Sequence, residues 1–378
     1  MLPLRPKLKW FCACVFSRYD TILSEVLDMK IRAVDLFCGV GGLTNGVQKT
    51  GINVVAGYDI LSSCKYPYEY NNHAKFFLKD VKDISKDEIN NLYPKDTDYR
   101  VLMGCAPCQP FSAYSHRYKN NEGHQDKLDL LDYFRKQVVN VHPDIVSMEN
   151  VPQLAKKNIF QTFLDTLELE GYKYTYKVVY APAYGVPQKR KRLLLLASLH
   201  GDIKLIDPLY GPDSYPTVAD TIGSLPTLAA GEQNKKDPLH VARNLSEINI
   251  QRIMQSHPNG TWHDWDPSLL PSCYRKESGK SYRSVYGRMS WNEPAPTITT
   301  QFIGYGNGRF GHPEQNRALS LREGAMLQTF PKNYQFSADD DFSMSKIALQ
   351  IGNAVPVKLG EIIGRSIRRH LSEIKGVK

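Results

Sequence analysis

From Lys30 to about Ser198 the chain alternates short apolar runs with segments of helical periodicity, the pattern of strands joined by crossover helices in a parallel sheet. The predicted strands are Ile31 to Leu36, Ile52 to Tyr58, Arg100 to Met103, Asp144 to Met148, Tyr174 to Tyr180 and Leu193 to Ala197. The last is uninterruptedly apolar, as a strand buried on both faces is. The fold class expected is α/β, a mostly parallel, doubly wound, Rossmann-like sheet. After Ser198 prolines punctuate a loop-rich stretch that holds all but one of the four tryptophans, so a smaller irregular domain is expected there. Ser320 and Glu323 have capping-box spacing ahead of Ala325, Met326 and Leu327, with Pro331 as a stop. Pro356 opens a final helix whose Leu359, Ile362, Ile363 and Ile367 share one face. The boundaries read as 1–29, an N-terminal extension with no function assigned; 30–199, catalytic and cofactor-binding; 200–335, target recognition; and 336–378, a segment returning to the first domain.

Composition narrows the class. Across 378 residues, 42% are apolar and 23% charged, which supports a packed core and excludes a disordered or fibrous chain. No run reaches the roughly 18 uncharged apolar residues of a membrane helix, so a soluble protein is expected. A net charge of +9 favours a polyanionic partner. The cysteines number seven, and Cys38, Cys105 and Cys108 sit in apolar or glycine-rich runs, which points to a reducing, cytoplasmic setting. Arg5, Lys7 and Lys9 before the patch from Trp10 to Phe16 imitate a signal peptide, but the patch is too short and Arg18 follows it.

Four motifs carry candidate chemistry. The first strand runs into Asp35-Leu36-Phe37-Cys38-Gly39-Val40-Gly41-Gly42, a glycine turn of the kind that lets backbone approach a ligand, and the second strand ends at Asp59, where a ribose-binding carboxylate belongs. A full Gly-x-Gly-x-x-Gly is absent, so an adenosine-type mononucleoside cofactor fits better than a nicotinamide dinucleotide. The third predicted strand delivers Gly104-Cys105-Ala106-Pro107-Cys108-Gln109-Pro110. No second Cys/His pair completes a zinc site, and prolines bracket Cys108 in a rigid loop, so one exposed nucleophile fits better than a metal or a redox pair. The next strand ends in Glu149-Asn150-Val151-Pro152, at the same carboxyl edge, where a partly desolvated carboxyl group holds and donates a proton. Finally, the period of two in Gln188-Lys189-Arg190-Lys191-Arg192 puts Gln188, Arg190 and Arg192 on one face, as a solvated basic patch or as a site for a base carbonyl and phosphates.

In this order the motifs resemble the DNA (cytosine-5) methyltransferases, together with Arg317 to Pro331 and Gly352-Asn353-Ala354-Val355-Pro356; the likeness runs from Lys30 to Lys378 except for the middle of the second domain. The resemblance implies S-adenosylmethionine as methyl donor. Phe37 would lie against its adenine or methionine part, Asp59 on the ribose, Asp80 near the adenine and Asn353 at the methionine end, with Asp35, Gly39, Gly41, Gly42, Ile60, Val81 and Pro107 completing the cofactor set. Asp59-Ile60 stands where the family commonly has glutamate before a large hydrophobic residue, and Lys79-Asp80-Val81 is less distinctive. The catalytic set implied is Cys108 as nucleophile on carbon 6 of cytosine, Glu149 at ring nitrogen 3, and Arg192, supported by Arg190, at the base carbonyl; no metal is required. Double-stranded DNA is the expected partner, with a cognate restriction endonuclease sharing the site, a monomeric state and no membrane. Between Cys273 and Trp291, Arg275, Lys276, Lys280, Arg283 and Arg288 interleave with Tyr274, Tyr282 and Tyr286, a pattern suited to DNA binding, and Thr297-Ile298-Thr299 matches the family's threonine element. Transfer RNA methylation on the same fold and a nicotinamide-dependent oxidoreductase are the alternatives.

Overall fold

The computed structural model describes residues 29–107, 129–277, 279 and 285–376. Among these residues seven strands make one sheet: β1 (Ile31–Leu36), β2 (Asn53–Asp59), β3 (Lys75–Leu78), β4 (Tyr99–Gly104), β5 (Ile145–Asn150), β6 (Lys173–Tyr180) and β7 (Lys191–Ser198), in the order β3-β2-β1-β4-β5-β7-β6. All run parallel except β7, which is antiparallel to both β5 and β6. The sheet is mostly parallel, as expected, and its one reversed strand needs no crossover helix. An antiparallel neighbour needs only a short return, and β6 reaches β7 through a single helical turn at Ala181–Tyr184. Strand β3 is missing from the sequence reading because its four residues bury only Phe76.

The helices are α1 (Gly42–Gln48), α2 (Lys65–Asn72), α3 (Asp129–Val141) and α4 (Asn158–Leu169) around the sheet, α5 (Val218–Ile222) and α6 (Glu247–Gln255) in the loop-rich stretch, then α7 (Leu321–Leu327), α8 (Met344–Asn353) and α9 (Val357–Ile374). Because successive strand residues face opposite ways, Ile31, Ala33, Val101, Met103, Leu194 and Leu196 bury against one layer while Val34, Leu36, Leu102, Val146, Leu193 and Leu195 bury against the other. Leu359, Ile362, Ile363 and Ile367 of α9 complete the first layer, as their spacing predicts, each contributing roughly 1.5–3 kcal/mol by burial. Helix α9 crosses α1 so closely that a Cβ on Gly46 would lie 2.1 Å from the carbonyl oxygen of Val357. Only glycine permits that approach.

The stretch from 199 to 320 has isolated bridges but no strand among the described residues. Side chains do there what a sheet ladder does elsewhere. Buried Arg288 donates to the carbonyl oxygens of Ile253, Ser256, His312 and Gln315 and to the side-chain oxygen of Asn316. Trp262, Trp265, Val285 and Tyr305 form a small satellite core. The capping box forms as expected: Glu323 N–H donates to Ser320 Oγ at 3.1 Å and Ser320 N–H to Glu323 Oε2 at 2.7 Å. The Glu323 carboxylate also takes both terminal nitrogens of Arg317, at 2.8 and 2.7 Å, and the pair is fully buried.

Candidate active site

Strands β1, β2, β4 and β5 end at one edge of the sheet, and Asp59, Cys105 and Glu149 are carried there. After β1 the backbone turns sharply, with φ of 60° at Phe37, 52° at Gly39 and 87° at Gly41. Left-handed φ is native to glycine, whereas at Phe37 it stores strain of the kind found at ligand sites. The Gly39 N–H donates to Asp59 Oδ2 at 2.9 Å, and Leu61 N–H donates to Asp59 Oδ1 at 2.9 Å, so the carboxylate at the end of β2 ties the turn in place. Burial raises the Asp59 carboxyl pKa, and these backbone donors oppose the rise. Ile60 beside it is 65% exposed, an open apolar side chain. Lys79 N–H donates to the Asp59 carbonyl oxygen, which brings Asp80 to the same edge. Asp80 accepts from Lys82 N–H at 3.1 Å, and Val81 is buried.

Asp35 lies beneath this turn at 1% exposure, and Thr44 Oγ1 donates to its Oδ2 at 2.7 Å. Burial pushes its pKa up to about 8, against the pull of that hydroxyl. Gly42 starts α1 on the same side. Tyr334 OH closes the turn from the far end of the chain by donating to the Val40 carbonyl oxygen, and accepts from Asn72 Nδ2. Asn353 is exposed at the end of α8.

At the ends of β4, β5 and β7 a second cluster forms. Glu149 is 2% exposed. Its Oε2 accepts from Cys105 Sγ at 2.7 Å, and its Oε1 lies 2.8 Å from Arg192 Nε, an ion-pair contact without the alignment of a hydrogen bond. The carboxylate therefore faces the thiol and guanidinium and does not cap the turn that follows. Asn150 Nδ2 donates to the Ala106 carbonyl oxygen at 3.1 Å, fastening β5 to the start of the loop that carries exposed Pro107. Cys108 lies outside the described residues. Burial and the Glu149 carboxylate push the Cys105 thiol well above its ordinary value, against the opposing pull of Arg192 and Arg190.

The alternation after Val186 holds: Gln188 and Arg190 are buried and Arg192 is partly so, while Lys189 turns outward to pair with Glu293. Burial, then the like charge of Arg192, push the Arg190 guanidinium down to about 9, with Glu149 pulling it back, so it stays charged at neutral pH. Its Nε has no hydrogen-bond partner among the described residues. Gln188 Nε2 donates to the Leu327 carbonyl oxygen at 2.7 Å and to Gln328 Oε1 at 2.8 Å, and its Oε1 accepts from Ile298 N–H at 2.9 Å. Gln188 thus joins the segment leading into β7 to the threonine element, where Thr297 Oγ1 donates to the Lys189 carbonyl oxygen.

One sequence expectation fails here. Arg288, counted among the DNA-facing cations, points inward and spends its donors on protein oxygens. Tyr274 stacks on Trp262 and Tyr286 packs edge-on against Trp265 and Tyr305, so these rings help build the satellite core. Residue spacing records charge and aromaticity but not direction. Lys280, Tyr282 and Arg283 lie outside the described residues. The sequence reading missed Asn150 and Cys105 as partners of the site, although both stand inside motifs it singled out.

The C-5 cytosine-specific DNA methylase family model matches residues 31–369. The Type II methylase M.HgiDII of Herpetosiphon aurantiacus is 49% identical over 341 residues, 89% of this chain and 95% of that protein. The Type II methyltransferase M1.BsuMI of Bacillus subtilis is 30% identical over 362 residues, 90% of this chain and 81% of that one. Among solved structures, a putative DNA modification methyltransferase encoded within an E. coli prophage has the same fold, with a TM-score of 0.69 at 21% identity, covering 90% of this chain and 99% of that one. A nicotinamide-dependent oxidoreductase is thereby set aside, and S-adenosylmethionine is the cofactor. The chain, matched over most of its length, belongs to the C-5 cytosine-specific DNA methylases.

Proposed function

We propose that this protein transfers a methyl group to carbon 5 of cytosine within one specific double-stranded DNA sequence, as the modification partner of a restriction endonuclease with the same target, and that it works as a cytoplasmic monomer. The observation that supports the chemical part of this reading is the buried Glu149 carboxylate set between Cys105 and Arg192, beside Arg190. In it, residues 30–199 form the catalytic domain, 200–335 the target-recognition domain, and 336–378 return to the first.

S-adenosylmethionine, when bound, supplies an electrophilic methyl group. The edge built by β1 and β2 fits it: a strained turn at Phe37, Gly39 and Gly41, an exposed apolar Ile60, and an Asp59 carboxylate with lone pairs left beyond its two backbone donors. Phe37, Ile60, Asp80, Val81, Pro107 and Asn353 would line the site, while Asp35 and Gly42 would support the turn from below. Carbon 5 of cytosine is a weak nucleophile until a group adds at carbon 6. Cys108 Sγ adds there, Glu149 holds a proton at ring nitrogen 3, and Arg192 turns to the base carbonyl with Arg190 behind it. After methylation a base removes the carbon 5 proton and Cys108 leaves. Carbon 6 is shielded inside a stacked duplex, so the base is extruded, at about a few kcal/mol.

A duplex with fluorine at carbon 5 of the target cytosine tests this reading. Fluorine does not leave as a cation, so elimination stalls and the protein and DNA remain joined through a denaturing gel when S-adenosylmethionine is present. Cys108→Ser gives no adduct. Failure to trap on a duplex that is methylated when unfluorinated would refute the covalent route.

A further inference from the structure

Cys105 takes no part in the chemistry just described, yet it is placed against the carboxyl group on which that chemistry depends. Its Sγ lies 2.7 Å from Glu149 Oε2, on the oxygen opposite the one that Arg192 faces at 2.8 Å. The two neighbours are not equivalent. Arg192 Nε is near Oε1 without hydrogen-bond alignment, and Oε1 has no other partner among the described residues, so this oxygen is the uncommitted one. Oε2 is committed to a donor on the adjacent strand end. The position of Cys105 is itself fixed: its N–H donates to the Leu36 carbonyl oxygen, and Asn150, next to Glu149, anchors the following residue through the Ala106 carbonyl oxygen. Donor and acceptor are thus carried by backbones tied to each other, which removes most of the freedom to drift apart.

We propose that Cys105 is a positioning residue for Glu149: its S–H, donated to Oε2, fixes the carboxyl rotamer and reserves Oε1 as the oxygen that carries the proton toward the base. A thiol beside a buried carboxylate acts only as a donor. While Oε2 accepts from it, a proton taken up by Glu149 goes to Oε1, the side that opens when Arg192 swings to the base carbonyl. The inference rests on the methyltransferase reading above.

The test is single-turnover methyl transfer at saturating S-adenosylmethionine and DNA, with the binding constants for both measured separately. Cys105→Ala removes the donor and lowers the transfer rate about tenfold, the equivalent of roughly 1.4 kcal/mol, while both binding constants stay near wild type. Cys105→Ser, which restores a donor, recovers most of the loss. In a Glu149→Gln background, Cys105→Ala has little further effect, because its influence passes through the carboxyl group. Three results would overturn the proposal: a wild-type rate for Cys105→Ala, a serine variant as slow as the alanine one, or an equal loss in the Glu149→Gln background. The wild-type rate alone reports on the underlying methyltransferase reading, and the ratios among variants report on Cys105.

Discussion

Replacing Gln188 by leucine isolates the polar joint between the sheet and the loop-rich region, because leucine keeps the volume and removes three hydrogen bonds. Gln188 is fully buried, as are Ile298, Leu327 and Gln328, the residues it bonds. Ile298 N–H loses its acceptor at 2.9 Å, and the Leu327 carbonyl oxygen and Gln328 Oε1 lose a shared donor at 2.7 and 2.8 Å. A buried donor left unpaired costs about 1–3 kcal/mol, and the two oxygens, which retain a second lone pair, less apiece. The expected loss is therefore about 3 kcal/mol, a melting point lower by several degrees. The neighbouring Lys189→Ala, which removes only an exposed ion pair with Glu293, serves as the control at about 0–1 kcal/mol. Urea denaturation of both variants gives the comparison, and methylation per native molecule shows whether Arg190, which reaches the Ile298 carbonyl oxygen, loses its support. A Gln188→Leu loss no larger than that of Lys189→Ala would mean that the three buried hydrogen bonds contribute no more than a surface ion pair.

Arg317→Met strands the buried Glu323 carboxylate and is expected to destabilise by about 3–5 kcal/mol, read by urea denaturation, whereas the paired Arg317→Met/Glu323→Leu variant recovers part of it. Arg317 also holds the Glu323 pKa below its ordinary value, so the stabilisation is present at neutral pH and is lost as pH falls through that depressed value; acid denaturation of wild type against the double variant checks the sign. Asp35 works in the opposite sense. Its folded pKa of about 8 stands above the unfolded value near 3.9, so its contribution is full below about pH 4 and erodes as pH rises toward 8. Denaturation midpoints of Asp35→Asn from pH 5 to 9 should decline less with pH than those of wild type, and parallel curves would contradict the assignment.

What the sequence made legible was periodic or capped: the buried run of β7, the Ser320 and Glu323 box, and the apolar face of α9. Strand β3 escaped because four residues at a sheet edge carry too little pattern, and the reversal of β7 escaped because side-chain alternation is blind to strand direction. In the candidate site, the residue types at the sheet edge were readable, since reactive groups were spaced one strand apart. Their partners were not. Asp35 looked like part of a ligand-facing turn and is buried with Thr44, and Arg288 looked like a DNA-facing cation and holds five protein oxygens, because burial is decided by elements distant in sequence.

The crossing of α1 by α9 also constrains how the molecule comes into being. Gly46 and Val357 touch, yet more than 300 residues of synthesis separate their emergence from the ribosome. Until α9 arrives, the apolar layer that includes Ile31, Ala33 and Leu43 stays uncovered and the turn at Val40 lacks the hydroxyl of Tyr334. A nascent chain therefore carries an incomplete cofactor edge, open to chaperones and proteases, until the segment from Leu321 to Ile374 has been made. The same geometry makes the protein a candidate for splitting: a fragment ending before α7 and a second bearing α7 to α9 would regain activity only when they meet, with the glycine-lined crossing as the seam.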